Sequence, residues 1–466
     1  MIPTSISRWA AEEFGGIAGH AGTARRWVQM ACAAAHRPAG TIPAVFPTEA
    51  ARKAAYRQVE RASLSPAQIR EGPARACARR VAAHPFAYVP VDFTSLTLTD
   101  PRHTKGTGPL GARKFPTRGL LVASAMALSP QHVPLGLADL LFWHRQEKVA
   151  RTPHNRRLFR HKETRHLLTV CRRIHERWKA MGVATRPWFQ VDRGGDVHQL
   201  LRWAIADHAW LTVRATHDRR VIDPMGSKLW EALGRRLPCT FLHVTLPANK
   251  TRAARGATLM IRAASVCIEI KDWSSSWKRR FTLGAVLVQE VGTVPKGEAG
   301  VEWMLLTTHP IETDADVLAV VRGYTARWSI EEFHRTWKSG LCAVEDTQLR
   351  SAAAIEKWAT LLATVAVRAE HLKSRSRAEP EVLASAEFSP EEIEAVLLLR
   401  EPKEVDKQGP LTLSKVVRWI ADLGGYTGKS SGGPPGQKVI ARGLDQVVPA
   451  AKALQTLRKQ QAAKRR

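Results

Sequence analysis

The stretch Tyr324-Thr325-Ala326-Arg327-Trp328-Ser329-Ile330-Glu331-Glu332-Phe333-His334-Arg335-Thr336-Trp337-Lys338 decides how this chain is read. At about 100 degrees per residue, Tyr324, Arg327, Glu331, Arg335 and Lys338 fall on one helical stripe, and Ile330, Phe333, Trp337 and Leu341 fall on another. The second stripe is core. The first carries chemistry, because a carboxylate flanked by cations on one helix face can hold a metal ion while the cations grip the phosphates that the metal touches. A solvated ladder of ion pairs, Arg327 to Glu331 and Glu331 to Arg335, fits the same spacing and contributes only a few tenths of a kcal/mol, roughly.

Upstream, Phe189, Gln190 and Val191 lead into Asp192, so that Asp192 sits where a strand ends, before Arg193-Gly194-Gly195-Asp196 and a helix through Leu200, Leu201 and Ala204. Leu167, Cys171, Ile174, Trp178 and Met181 recur at helical spacing, with Arg172, Arg173, Glu176 and Lys179 between them, which predicts an amphipathic helix. Earlier still, Phe86, Tyr88, Val89, Val91, Phe93, Leu96 and Leu98 alternate with Thr and Ser, a strand interrupted by Asp92. Apolar runs at 119–128 and 134–143 follow, and the three together predict an antiparallel meander. Between the second aspartate and the glutamate, strands are predicted over 211–215, 240–246, 258–270, 282–291 and 301–307. They form a basic β-rich block with Lys250, Arg252, Arg255, Lys278, Arg279 and Arg280.

The flanks are helical. Trp9, Phe14, Trp27, Val28, Ala31 and Tyr56 are apolar anchors among Arg25, Arg26 and Arg57, which suits either a small DNA-binding region or an ordinary bundle with a solvated basic face. From about Lys373 a Glu-rich helix and a Gly and Pro cluster predict a separate helical module, and Ala462-Ala463-Lys464-Arg465-Arg466 a frayed basic tail.

The 466 residues exceed what one hydrophobic core serves. Seventy-one Lys and Arg against 42 Asp and Glu give a formal net charge of +29. That excess favours a polyanion as partner, since each phosphate neutralised releases condensed counterions. No run approaches the length of about 18 apolar residues that a membrane span needs, and the first residues lack the basic, apolar, small-residue order expected of a secretion signal. A soluble cytoplasmic protein without a membrane partner is expected. The six cysteines form no CxxC pair and are expected to be reduced, mostly buried thiols.

The run that carries Tyr324, Arg327, Glu331 and Lys338 resembles the Y-(2)-R-(3)-E-(6)-K signature of the insertion-sequence-four family of bacterial cut-and-paste DNA transposases, the group of the transposon-five transposase. Val91-Asp92-Phe93-Thr94-Ser95-Leu96 resembles that family's first-aspartate strand, and Val191-Asp192-Arg193-Gly194-Gly195-Asp196 its second block, usually D-R-E-x-D. Ala55-Tyr56-Arg57 and Leu423-Gly424-Gly425 extend the likeness over nearly the whole chain. Gly194-Gly195 departs from the family's pattern, which is expected to loosen the turn after Asp192.

The resemblance implies a mixed α/β (α+β) fold. A ribonuclease-H-like catalytic core over 76–372, with a β-rich insertion at about 210–308, would lie between a helical N-terminal domain (1–75) for transposon ends and a helical C-terminal dimerisation domain (373–466). It implies Asp92, Asp192 and Glu331 as catalytic residues and as ligands of two Mg2+ ions, with Mn2+ as a substitute. Mg2+ takes mainly oxygen ligands, and two ions about 3.5 to 4 Å apart can activate the attacking oxygen and stabilise the leaving one. Arg193, Arg214, Tyr324, Arg327 and Lys338 would contact phosphates. Trp303 and Trp328 would stack on or wedge an extruded base, although a strand Trp is as readily core. Arg25, Arg26, Tyr56 and Arg57 would bind DNA in the N-terminal region. The partners implied are double-stranded DNA, as transposon ends and target, and a second copy in a synaptic homodimer. Three rival carboxylates stand nearby: Asp100 as a turn former, Asp196 as a helix-start acid and Glu332 as a surface acid. A catalytically silent DNA-binding relative that regulates transposition, and a nuclease that cuts without joining, are the alternative functions.

Overall fold

The computed structural model describes residues 6–17, 21–111, 117–146, 158–246, 253–271, 278–401, 409–428 and 433–464. Lys250, Arg252, Arg465 and Arg466, expected in the basic block and the tail, lie outside the described residues. Five helices come first: α1 (Ile6–Phe14), α2 (Ala21–His36), α3 (Ile42–Val45), α4 (Glu49–Glu60) and α5 (Pro66–Val81). The start of α5 is written in its sequence. Ser65 and Gln68 form a capping box that satisfies two free amides, and Pro66 takes the first turn, where no amide is missed.

Strands β1 (Phe86–Thr97), β2 (Gly108–Pro109), β3 (Arg118–Leu128) and β4 (Pro134–Trp143) follow. Then come α6 (Arg165–Ala180), β5 (Arg186–Val191), α7 (His198–Ala206), β6 (Trp210–Arg214) and α8 (Leu229–Gly234). The β-rich stretch supplies β7 (Thr240–Leu246), β8 (Arg255–Lys271), β9 (Lys278–Val291) and β10 (Glu302–Thr307). Helices close the chain: α9 (Asp314–Ala326), α10 (Ser329–Lys338), α11 (Ala352–Ala378), α12 (Pro390–Arg400), α13 (Leu413–Leu423) and α14 (Gln437–Lys464).

One ten-stranded sheet runs β2-β3-β1-β5-β6-β10-β9-β8-β7, with β4 on the far side of β3. Strand β3 pairs antiparallel with β1 on one side and β4 on the other, as the predicted meander requires, and β5 and β6 continue parallel to β1. Three antiparallel strands followed by two parallel ones, with helices on both faces, is the ribonuclease-H-like arrangement. Trp210–Arg214 is the fifth strand of that order, so the β-rich stretch expected from about 210 lends its first strand to the core. The remaining four extend the same sheet antiparallel through β10.

Strand alternation sorts the two faces. Ala87, Val89 and Val91 of β1 and Phe189 and Val191 of β5 pack with Leu167, Ile174 and Trp178 of α6 and Leu200 and Leu201 of α7. Tyr88 and Trp188 face the other way, into a cluster with Phe333 and Trp337 of α10 and Trp358 of α11. That cluster also takes in Trp9, Phe14 and Trp27, so the N-terminal helices share the core of the sheet. A third cluster, from Ala384 to Ala451, joins α12, α13 and α14.

Two expectations for the C-terminal part change. Helix α11 runs unbroken past Lys373 to Ala378, and α14 stays helical to Lys464 where a frayed tail was expected from Ala462. The extension of α11 is held by ion pairs of Lys373 with Glu332 and Glu370, and of Arg375 with Glu379 and Glu387. No cysteine forms a disulfide: Cys77, Cys171 and Cys342 are buried, and Cys32, Cys239 and Cys267 only partly so. Among the described residues no helix is long and apolar enough to cross a membrane.

Helix α9 meets the sheet at Gly323, where an added Cβ would lie 2.6 Å from Tyr88 Cε1 and 2.8 Å from Gln190 Nε2. Both neighbours are buried, and the Tyr88 hydroxyl donates to the Ala319 carbonyl at 3.2 Å, so neither can give way easily. On the next helix Trp337 is fully buried, stacks on Phe333 at 5.6 Å and donates its indole N–H to the Ala359 carbonyl at 2.9 Å. Trp337→Ala is expected to lower stability by about 3 to 5 kcal/mol, read as a fall in the urea midpoint of unfolding. An unchanged midpoint would mean that α10 is not anchored through this ring.

Candidate active site

Parallel strands β1 and β5 pair with Val91 opposite Val191, so each strand delivers a carboxylate at the next position, Asp92 and Asp192. Asp92 Oδ1 accepts from the Phe93 amide at 2.7 Å. Asp192 caps the short 3-10 turn Arg193–Gly195, its Oδ1 accepting from the Gly194 amide at 2.8 Å. The two glycines, expected to loosen this turn, close it. A Cβ on Gly195 would lie 2.2 Å from Val191 Cγ1, so the turn can fold onto its own strand only without a side chain there.

The signature stretch is not one helix. Helix α9 stops at Ala326 and α10 starts at Ser329. The amides of Arg327, Trp328, Ile330 and Glu331 each bond a carbonyl three residues back, which tightens the join. The expected stripe divides accordingly. Tyr324, Arg327 and Glu331 stay together, Arg335 is exposed, and Lys338 turns to Glu345, 3.6 Å away. Arg327 is the hub: Nη2 donates to Glu331 Oε1 at 2.8 Å and Nη1 to Asp92 Oδ2 at 3.3 Å, while its guanidinium lies 5.8 Å from the Tyr324 ring centre. Its buried Nε has no hydrogen-bond partner.

Burial first, then the neighbouring Asp192 charge, pushes the Asp92 carboxyl up from its ordinary 3.8 to about 6; Arg327 opposes this and Glu331 adds to it. Asp92 therefore feels both of the other carboxylates. They do not form a ready ligand set: among the described residues no three or more His, Cys, Asp or Glu side chains stand where one metal ion could be held. The Arg327 guanidinium bridges Asp92 and Glu331 instead.

Each rival acid has a structural partner. Asp100 accepts from Thr107 Oγ1 at 2.6 Å and from the Thr104 amide, as a turn former does. Buried Asp196 accepts from both ends of Arg219, at 2.5 and 2.8 Å, and from the Thr216 amide, tying the turn after β5 to the loop after β6. Glu332 faces α11 and pairs with Lys373 at 2.8 Å.

Of the expected DNA contacts, Trp303 on β10 is partly buried and meets the Tyr324 ring edge-on at 5.2 Å, which places it one ring from Arg327. Trp328, 55% exposed, follows Arg327 in the join between helices. Arg214 donates to the Glu302 carbonyl at 2.9 Å, beside Trp303, and Arg193 is exposed in the Asp192 turn. Arg25 and Arg26 on α2 and Arg57 on α4 are exposed, and Tyr56 packs partly against the core; no contact joins these four to the carboxylates among the described residues.

Sequence reasoning missed four partners: Arg219, Glu345 and the buried pair Ser124 and His334. Glu345 accepts from the Thr97 amide at 2.7 Å as well as pairing with Lys338, so it fastens the end of β1 to the end of α10. Ser124 was legible only as a polar break in an apolar run, and His334 as one more residue between Phe333 and Arg335.

Residues 144–368 match the family model of the transposase DDE domain. The match takes in Asp192 and Glu331 and begins after Asp92. It supports a transposase, with the DNA transposition and recombination that such enzymes carry out. DDE transposases act on DNA and generally use divalent metal ions.

The raised Asp92 carboxyl has a definite sign in stability. The folded chain binds this proton more tightly than the unfolded chain, so the contribution is full below pH ~4 and is lost as pH rises through about 6. In EDTA, wild-type stability to urea is expected to fall relative to Asp92→Asn as pH rises across that window. Parallel profiles would show that Asp92 does not carry the crowded charge.

Proposed function

We propose that this chain is a cut-and-paste DNA transposase in which Asp92, Asp192 and Glu331 hold two Mg2+ ions, with Mn2+ able to replace them. The observation that carries the reading is Arg327, whose single guanidinium is shared by carboxylates from β1 and α10 beside the strand end that presents Asp192. The donor set fits divalent cations. It consists of hard carboxylate oxygens, and Asp92 is raised by burial and by the neighbouring Asp192 charge, which Arg327 only partly offsets. Metal ions bound there supply charge stabilisation at the attacking and leaving oxygens of a phosphodiester.

The protein's own groups do the rest. Arg327, whose guanidinium is shared by Asp92 and Glu331 and whose Nε has no partner, would offer donors to a phosphate at the site. Lys338, Arg193 and Arg214 add sequence-independent phosphate contacts. Trp328, exposed at the helix join, and Trp303, backed by Tyr324, suit a base drawn out of the duplex. The insertion-sequence-four resemblance implies the reaction order: a nick by water, attack of the freed 3'-OH on the opposite strand to form a hairpin, reopening by water, and joining of the 3'-OH to target DNA. Exposed Arg25, Arg26 and Arg57 suit recognition of terminal inverted repeats, and the C-terminal helices suit pairing of two copies in the synaptic complex. The insertion-sequence-four likeness and a bacterial, nucleoid-associated location belong to the same proposal.

Supercoiled plasmid bearing the element's ends, incubated with Mg2+, tests the proposal. Excised and inserted products are expected. Binding without cleavage in Mg2+ or Mn2+ would favour the silent regulator, and cleaved ends that never join would favour a nuclease. Asp92→Ala, Asp192→Ala and Glu331→Ala should each abolish cleavage and leave end binding largely intact; near-normal cutting by one of them would remove that residue from the ligand set. Trp303→Ala is expected to slow hairpin formation more than the first nick, measured by resolving the two products on a denaturing gel.

A further inference from the structure

Ser124 lies in the middle of β3, directly opposite Asp92 in the antiparallel ladder. It is fully buried in an otherwise apolar strand, where an unpaired hydroxyl is costly. Its Oγ donates to the Asp92 backbone carbonyl at 3.3 Å and stands 2.6 Å from His334 Nε2. His334 is only 8% exposed and sits on α10, one turn beyond Glu331. A hydroxyl has one hydrogen. With that hydrogen on the Asp92 carbonyl, Nε2 of the imidazole is the donor to Ser124, and a directed chain runs from α10 through β3 to the backbone of Asp92.

We infer that His334 and Ser124 form a buried strut that fixes the height of α10 over β1, and thereby the separation of Glu331 from Asp92. The inference rests on the reading of those two carboxylates as metal ligands.

The other ties of α10 show why a strut is needed. Thr336 and Glu332 fasten α10 to Glu370 and Lys373 of α11, behind the site. Towards β1, Arg327 spans Asp92 and Glu331, but cations at those carboxylates compete with that ion pair. The link between Lys338 and Glu345 lies at the far end of α10, and Lys338 is a phosphate ligand in waiting. The bond between His334 and Ser124 carries no charge that metal or DNA would claim. Burial, with Lys338 and Arg327 nearby, holds the His334 ring far below the usual imidazole range, at about 3, so the ring is a neutral donor. His334 and Ser124 are thus positioning residues: they touch no substrate, and they act through the carboxylates.

The test is Mn2+ binding to the full-length chain by calorimetry, with Ser124→Ala, His334→Ala, His334→Gln, the Ser124→Ala/His334→Ala double variant and Asp92→Ala beside the wild type. Loss of a partner behind metal ligands typically weakens binding by about 10- to 100-fold, and a loss near the lower end of that range is expected for each alanine variant. The double variant should be no weaker than the worse single variant, because both remove one link. His334→Gln, which keeps an N–H at similar reach, should recover most of the affinity, and binding to duplex DNA without metal should not change. Ser124→Ala removes only an oxygen, so it keeps the test decisive if His334→Ala folds poorly. Wild-type Mn2+ affinity in Ser124→Ala, or losses that add in the double variant, would overturn the strut while leaving the ligand reading intact if Asp92→Ala still loses Mn2+. If the wild type takes up no Mn2+, or Asp92→Ala takes it up unchanged, the ligand reading falls and the strut with it.

Discussion

Parallel pairing of β1 with β5 is the constraint on which the rest of the structure depends. Antiparallel neighbours can be joined by a tight turn, but parallel ones need a long crossover, and here the chain passes through β3, β4 and α6 before it returns beside β1. That crossover covers one face of the sheet, and α9, α10 and α11 cover the other. The register sets Val91 against Val191 and so brings Asp92, midway along β1, beside Asp192 at the end of β5. Burial there is costly for a charged carboxylate, and the repulsion of like charges adds to it, as the raised Asp92 carboxyl shows. Arg327 offsets part of it, and two packed faces hold the strands in place against the remainder.

The β-rich stretch is not a separate body hung from the core. Strand β10 pairs with β6, opposing Leu305 to Arg214, and the sheet continues through β9, β8 and β7. Through this pairing Arg214 reaches the backbone of Glu302, and Trp303 comes to rest against Tyr324. Residues far apart in sequence thus form a row, Trp303 to Tyr324 to Arg327, that ends at the carboxylates.

Much of this was legible in the residues. The apolar run at 134–143 marks β4 to the residue, and the alternation around Asp92 marks β1, because a half-buried strand leaves a period-two record. Features that depend on distant contacts left no such record. A helical period runs unbroken through Arg327 and Trp328, yet the chain tightens there so that α9 and α10 can each lie on the sheet. Gly194 and Gly195 read as slack, and only the closeness of Val191 shows them to be compact. Lys373 reads as a boundary because polar residues follow it, but Glu332 and Glu370 supply partners that let α11 run on. Ser124 reads as noise in an apolar strand until its partner on α10 is known.

Gly323 has a consequence in the genetics of the chain. Every single-base missense change of a glycine codon installs at least a methyl group, and at this position that methyl meets the Tyr88 ring and the Gln190 amide. Unselected mutations should therefore accumulate as loss of function at a site that touches neither carboxylate nor DNA. In a screen for inactive alleles, position 323 would look like part of the catalytic machinery, although what it protects is the approach of α9 to the two strands that carry the aspartates.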